Sequence, residues 1–443
     1  MVKSTEIRSI VHNIIWIFLE RFIRVLTGIT VTIWLARYLG PTQLGILTYI
    51  LAVIGIVSAF SGLGLKQIVV KNLIQKIGDR TETLSSAGVL LLIAGLFSYL
   101  ITITAISFLR PNDQEFLALT IVMSSILIFQ AGEIFAYWFE SEVKSKYVSL
   151  ADSTSNIITS FLKITLIFWK AELIYFAYVF TLEALLKALF LLIAYRKYGP
   201  SDYISGPKLR NSYDLLRASW PLLIADTATL LYMKIDQVML GNMDGITAVG
   251  WYSAAARVSE IWFVVAIAIT TSVRPLLLKL AVKDPEEFKR RYQDILNLLA
   301  LIGIILAVVG TFLSEQIILM LFGEKYAPAS EVLKIHIWST LFVFLNNAAW
   351  LWYVAHGKQK IASYRIFAGL FLNVLLNYFL IPTYGVIGAA FATLVSRAIV
   401  AYFGQLINKE TMPLFLMMSR AMFLCMPWAI QKSFRMIKTR SRS

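Results

Sequence analysis

The sequence predicts an all-α integral membrane protein of about twelve transmembrane helices in two six-helix lobes. Three observations predict it. The chain of 443 residues is 58% hydrophobic and only 15% charged, where a soluble protein carries about 25% charge. Apolar runs of about 20 residues, enough to cross a hydrocarbon core, recur along its whole length. The connections between them alternate between rich and poor in Lys and Arg. The alternating segments of about 10 residues that mark a membrane β-barrel are absent.

Taken in order, the spans fall near 10–36, 45–65, 84–109, 116–138, 148–169, 172–195, 217–240, 247–273, 292–314, 328–354, 362–381 and 384–407. The first follows a short polar start, Met1–Ile10, and runs past signal-peptide length without an A-x-A-like site, so it reads as the membrane address itself. The connections 66–82, 139–147, 196–217, 274–291 and 355–361 are basic, whereas the others hold only Arg37, Arg110, Lys170 and Lys325. Lys and Arg favour the cytoplasmic side, which predicts a multi-pass membrane protein with both termini cytoplasmic. Loops beside anionic headgroups account for the net charge of +15, so no nucleic-acid partner is expected. Residues 411–430 are apolar but hold Arg420 centrally, with Pro413 and Pro427 near the ends, and a basic tail follows. They read as an interfacial helix. The expected organisation is an N-terminal lobe over 1–195, a cytoplasmic linker over 196–216, a C-terminal lobe over 217–407 and an interfacial segment with basic tail over 408–443.

No loop is long enough for a soluble catalytic domain, which takes at least about 50 residues. The phosphate-cradling pattern G-x-x-x-x-G-K-[ST] is absent. The single cysteine, Cys425, excludes an internal disulfide, and His12, His336 and His356 lie far apart without ligand spacing. The sequence therefore predicts no enzyme, no cofactor and no metal.

The even split of spans has a trace in the residues. "YLGPTQLGILTY" (38–49) follows the first span and "MDGITAVGWYSA" (243–254) the seventh; Gly40 and Gly45 share their spacing with Gly245 and Gly250. Six helices per half give a parallel repeat, which places a substrate site where the halves meet.

Charges inside the spans supply the candidate site. Each costs about 2.5–3.5 kcal/mol at mid-bilayer on insertion scales and so must face protein or water. Glu183 and Lys187 are four apart and read as a structural pair on one helix face. Lys163, Lys334, Arg365 and Arg397 read as side chains that snorkel to the interface. Arg21, Arg24, Lys234 and Arg257 resist both readings and suggest a cationic, substrate-binding cavity suited to phosphate, for which arginine offers paired donors. Asp236, with Glu20 and Glu260, is the expected gating or ion-coupling set. Lys234 and Asp236 are two apart, so they point about 200° apart around one helix. Asp236 is expected to hold an arginine, Arg257 being the candidate, and to release it during transport.

These stretches also carry a family likeness. "LARYLGPTQLGILTYILAV" (35–53), "IDQVMLGNMDGITAVGWYSAAARVSE" (235–260) and "NVLLNYFLIPTYGVIGAAFATLVS" (373–396) resemble the Wzx-type oligosaccharide flippases of the multidrug/oligosaccharidyl-lipid/polysaccharide exporter superfamily. The resemblance implies a V-shaped, MATE-like bundle working by alternating access. Its implied substrate is undecaprenyl-pyrophosphate-linked oligosaccharide, carried from the cytoplasmic to the periplasmic leaflet for surface polysaccharide. The implied partners are that lipid-linked oligosaccharide and membrane lipids, with a polysaccharide polymerase and a chain-length regulator beside a monomeric transporter. Multidrug or cation efflux, peptidoglycan-precursor flipping, and a membrane polymerase or ligase are the competing readings. The basic tilt of the in-span charges disfavours cation efflux, and the short outer connections disfavour an enzyme.

Overall fold

A computed structural model describes residues 4–200, 206–424 and 427, and leaves the side chains of 4–27 and 29 outside the described set. Helices account for nearly all of the described residues, and no strand occurs among them. The chain divides into two compact units, Met1–Leu230 and Leu231–Ser443.

Unit one holds α1 (Ser4–Gly62), α2 (Leu65–Gln75), α3 (Arg80–Leu109), α4 (Gln114–Ser124), α5 (Ile126–Phe129), α6 (Glu133–Ser141), α7 (Lys146–Phe168), α8 (Leu173–Tyr198) and the first part of α9 (Leu209–Met243). Unit two holds the rest of α9, then α10 (Ile246–Glu260), α11 (Phe263–Lys283), α12 (Pro285–Phe312), α13 (Ser314–Phe322), α14 (Ala329–His336), α15 (Ser339–Ala355) and α16 (Gln359–Ala401). A short helix, α17 (Met412–Leu424), follows. Each of the twelve apolar runs falls on helix.

The long stretches must break to fit a bilayer. Thr30–Gln75 and Gln359–Leu406, of 46 and 48 residues, would each reach about 70 Å as straight helix, more than twice the ~30 Å hydrocarbon core. The first breaks at Gly40, whose φ of 72° and ψ of 175° stop the helix before Pro41. A residue before proline is pushed out of the α region, and glycine alone takes positive φ without strain. The second breaks at Gly385, with φ 54° and ψ −135°, three residues after Pro382. Gly245, the repeat mate of Gly40, has φ 103° and ψ 168° and starts α10. The two positions paired by the repeat thus share one rare backbone shape, which Gly323 also adopts at another helix break.

Polar caps set the ends that lie in the connections. Asp79 accepts from the Glu82 N–H at 2.8 Å and starts α3, and Asp284 accepts from the Glu287 N–H at 3.0 Å and starts α12, with Pro285 in its first turn.

Inside unit one, Leu65, Leu84, Leu91, Tyr137 and Trp138 form a core where α2, α3 and α6 meet. Inside unit two, Tyr292, Leu299, Phe344 and Leu345 join α12 to α15, and α17 adds Leu414, Met418 and Ala421 to that core. Small residues let these helices approach: a Cβ at Gly303 would lie 3.0 Å from Leu341 Cα, and one at Gly310 2.8 Å from Ile337. Large apolar side chains such as Phe97, Phe161, Phe312 and Phe371 stay exposed on the outer faces. Side chains of that size facing outward along whole helices suit lipid as the surrounding solvent.

Candidate functional site

The buried carboxylate of unit two, among the described residues, is Asp236 on α9, 5% exposed. Three donors satisfy it. The Tyr252 hydroxyl on α10 donates to Oδ2, the Thr393 hydroxyl on α16 lies 3.3 Å from the same oxygen, and the Gln237 N–H donates to Oδ1 at 2.8 Å. Tyr252 and Thr393 are themselves 3.0 Å apart. One carboxylate therefore ties three helices together, because a charge in a dry bundle must find its donors on its neighbours.

Beside it lies a second polar group. The His336 ring at the end of α14 packs edge-on against Tyr252, with centroids 5.6 Å apart, and its Nδ1 is 2.6 Å from the Ser259 hydroxyl. Its Nε2 is buried and has no hydrogen-bond partner among the described residues. Arg397 on α16 donates to the Ser339 hydroxyl at 2.7 Å, lies 4.0 Å from the Glu260 carboxylate, and sits 5.5 Å from the Phe263 ring centroid.

Unit one has its own ionic cluster. Lys187 on α8 pairs with Glu133 on α6 and with Asp152 on α7, the latter at 2.9 Å. Glu183, one turn before it, accepts from Lys163 at 2.9 Å, Thr159 at 3.1 Å and Asn156 at 3.2 Å, all on α7. Lys163 also sits 4.2 Å from the Phe180 ring centroid. Five charges on three helices are thus fastened by charge-assisted bonds.

These geometries correct several expectations. Glu183 and Lys187 do not pair with each other, because α7 and α6 offer each a nearer partner. Lys163, Arg365 and Arg397 are not snorkelling. Lys163 and Arg365 are buried, and Arg365 donates to Gln405 and, at 2.9 Å, to Thr411, with Tyr353 stacked beneath it. Lys334 is half-buried and pairs with Glu331 at 2.5 Å on its own helix.

Asp236 does not hold Arg257. Tyr252 takes the carboxylate, and Arg257 stands five residues farther along α10, about 140° around the helix. Arg257 is exposed. Lys234 is half-buried and forms no ion pair among the described residues. Glu20, Arg21 and Arg24 lie outside the described side chains. Tyr252, Thr393, His336 and Ser259 went unread in the sequence because a search for charge passes over hydroxyls and a lone imidazole. The available signal was position: Tyr252 and Thr393 both lie in the quoted family-like stretches.

Among the described residues no group of acids, histidines and cysteines could hold a metal. Apolar outer faces with charges paired inside define a multi-pass helical membrane protein whose polar machinery is internal to its bundles. Solved transporters share the fold. "Lipid II flippase MurJ, inward closed conformation" superposes with a TM-score of 0.76 at 17% identity, covering 94% of this chain and 93% of that one. An inward-facing MATE family multidrug transporter of the MOP superfamily gives 0.68 at 14% identity, covering 91% and 96%.

Residues 10–281 match the family profile described as "Polysaccharide biosynthesis protein", and 221–379 match the MatE profile. The chain belongs to the polysaccharide biosynthesis protein family. A Shigella flexneri protein named as a candidate O-antigen transporter is 25% identical over 399 residues, 86% of this chain and 93% of the relative. A Haloferax volcanii protein named as a candidate low-salt glycan biosynthesis flippase, Agl15, is 23% identical over 388 residues, 84% of this chain and 77% of the relative.

Proposed function

We propose that this chain is a flippase for lipid-linked oligosaccharide, and specifically that it carries an undecaprenyl-pyrophosphate-linked repeat from the cytoplasmic to the periplasmic leaflet. The observation that carries the reading is the family match over 10–281, joined to relatives of nearly equal length named for glycan transport. The loop charges support an orientation with both termini cytoplasmic, and the proposed substrate would place the chain in the inner membrane. A sugar chain on a pyrophosphate cannot cross hydrocarbon unaided, because its hydroxyls and charges would all be desolvated. A transporter acts here by offering polar groups inside the membrane, not by chemistry, so the chain is a transporter and not an enzyme.

Within this reading the residues take distinct roles. Arg257 is an exposed cation beside the buried face of α10, and it meets the pyrophosphate, with Arg21, Arg24 and Lys234 as further cations. Asp236 acts in gating or ion coupling, and Glu20 and Glu260 belong to the same proposed set. Its bonds to Tyr252 and Thr393 must rearrange whenever α9, α10 and α16 shift, which gives alternating access a two-state contact.

The test is transport of a fluorescent undecaprenyl-pyrophosphate sugar in reconstituted vesicles. Arg257→Ala should abolish transport at normal abundance, Arg257→Lys should recover only part of it, and Tyr252→Phe should slow it through Asp236. Full transport by Arg257→Ala would overturn the role of that arginine. The MatE match over 221–379 favours drug efflux as the second reading. Extrusion of ethidium with no flipping of the lipid-linked sugar would establish that reading instead.

A further inference from the structure

The transport reading leaves one feature of unit two without a task. Arg420 stands in the middle of an apolar segment, and the structure places it on the rim of a groove of about 510 Å³. The groove runs between the α11–α12 turn, the end of α15 and the start of α17, and its size falls in the range of ligand pockets, about 300–1,000 Å³.

Its floor and rim differ in character. Phe288 and Trp352 are buried and make the floor apolar, Leu416 adds an exposed apolar side, and Lys289, Lys358 and Arg420 stand at the edge against one lining acid, Glu410. Glu410 is answered by Lys358 at 2.7 Å. Lys289 reaches Glu286 at 2.7 Å, but both side chains are well exposed, and such a pair holds weakly. Arg420 makes no ion pair among the described residues. The His356 ring stacks on Trp352 with centroids 4.1 Å apart, and its Nδ1 lies 2.8 Å from the Trp352 carbonyl, so the aromatic shelf is preformed. The basic connections 274–291 and 355–361 supply this end of the unit, where anionic headgroups gather if that end is cytoplasmic.

We propose that this groove binds the phosphate headgroup of an anionic membrane phospholipid, with one acyl chain laid along Phe288 and Leu416. Arg420 and Lys289 supply the donors for phosphate oxygens, and the apolar floor is what a free phosphate would not need. The sequence that follows α17, "QKSFRMIKTRSRS", is basic and would be repelled by the same rim, so the chain's own tail is a poor occupant. The bound lipid joins α17 to α12 and α15. This site is separate from the transport reading and stands or falls without it.

The test is lipid binding by native mass spectrometry on the detergent-purified full chain, titrated with dioleoyl phosphatidylglycerol, dioleoyl phosphatidylcholine or inorganic phosphate. Phosphatidylglycerol should bind in preference to phosphatidylcholine, and excess inorganic phosphate should leave it bound. Each rim cation removed should weaken binding about fivefold, so Lys289→Gln/Arg420→Gln should lose about 25-fold. Glu410→Gln should instead tighten binding, a gain that no folding defect can mimic. Equal binding of the two lipids, unchanged affinity in both variants, or displacement by inorganic phosphate would overturn the proposal. So would tighter binding of an undecaprenyl pyrophosphate that depends on the same residues, which would make the groove a substrate site.

Discussion

Lys187→Met is the perturbation that tests how charge is held inside unit one. It keeps an unbranched side chain as far as the ε position and removes the ammonium that Glu133 and Asp152 share. Those three side chains are 29%, 30% and 27% exposed, so water screens the cluster in part. Removing one partner of a fully buried pair costs about 3–5 kcal/mol and of an exposed pair about 0–1 kcal/mol, which puts this site near 2 kcal/mol. For a unit of roughly this size, 1 kcal/mol moves the melting temperature by about 2–4 °C, so a drop of about 4–8 °C is expected. The assay is thermal melting of detergent-purified protein followed by fluorescence-detected size exclusion. Double-mutant cycles then assign the partner. Lys187→Met with Glu133→Gln should show coupling of about 1 kcal/mol or more, and Lys187→Met with Glu183→Gln should be close to additive. Coupling concentrated on Glu183 would refute the interhelical arrangement and restore the same-face pair.

Two further outcomes follow from the helix ends and breaks. Gly385→Ala places a Cβ 2.7 Å from the Asp244 carboxylate at a φ of +54°, so it should lose about 1–3 kcal/mol of stability and much of its yield, while Gly62→Ala, which meets nothing within 4 Å, should melt like wild type. The Thr81 hydroxyl and then the Glu82 N–H hold the Asp79 carboxyl below its ordinary value of 3.8; a depressed carboxylate stabilises above its unfolded value and stops doing so as pH falls through the folded one. Amides of the first turn of α3 should therefore stay protected at pH 5 and open below about pH 3.8, and Asp79→Asn should remove that dependence, measured by hydrogen exchange.

The span pattern was legible because apolar length is a local quantity. Gly40 before Pro41, and Pro382 with Gly385, already mark where an unbroken helix must stop. The partners of the charges were not legible in the same way. Spacing along one helix says which groups share a face, and it led to Glu183 with Lys187. It does not say what the next helix presents to that face, and α7 presents Lys163 and Asp152 there. Snorkelling was a reasonable expectation for Arg365 and Arg397 only while no interior acceptors were in view; Gln405, Thr411 and Ser339 supply them.

The sequence by itself determined that this chain lives in a membrane as a helical bundle, where its apolar runs lie along the chain, and which family it resembles. All of these rest on residues close together along the chain, and bilayer thickness converts them directly into structure. Only the tertiary structure decided that Asp236 is held by Tyr252 and Thr393 and not by Arg257, and that Lys187 answers Glu133 and Asp152. In a medium without water each buried charge is satisfied by whichever donor or acceptor packing brings within about 3 Å, and that donor often stands on another helix, where no spacing rule reaches it.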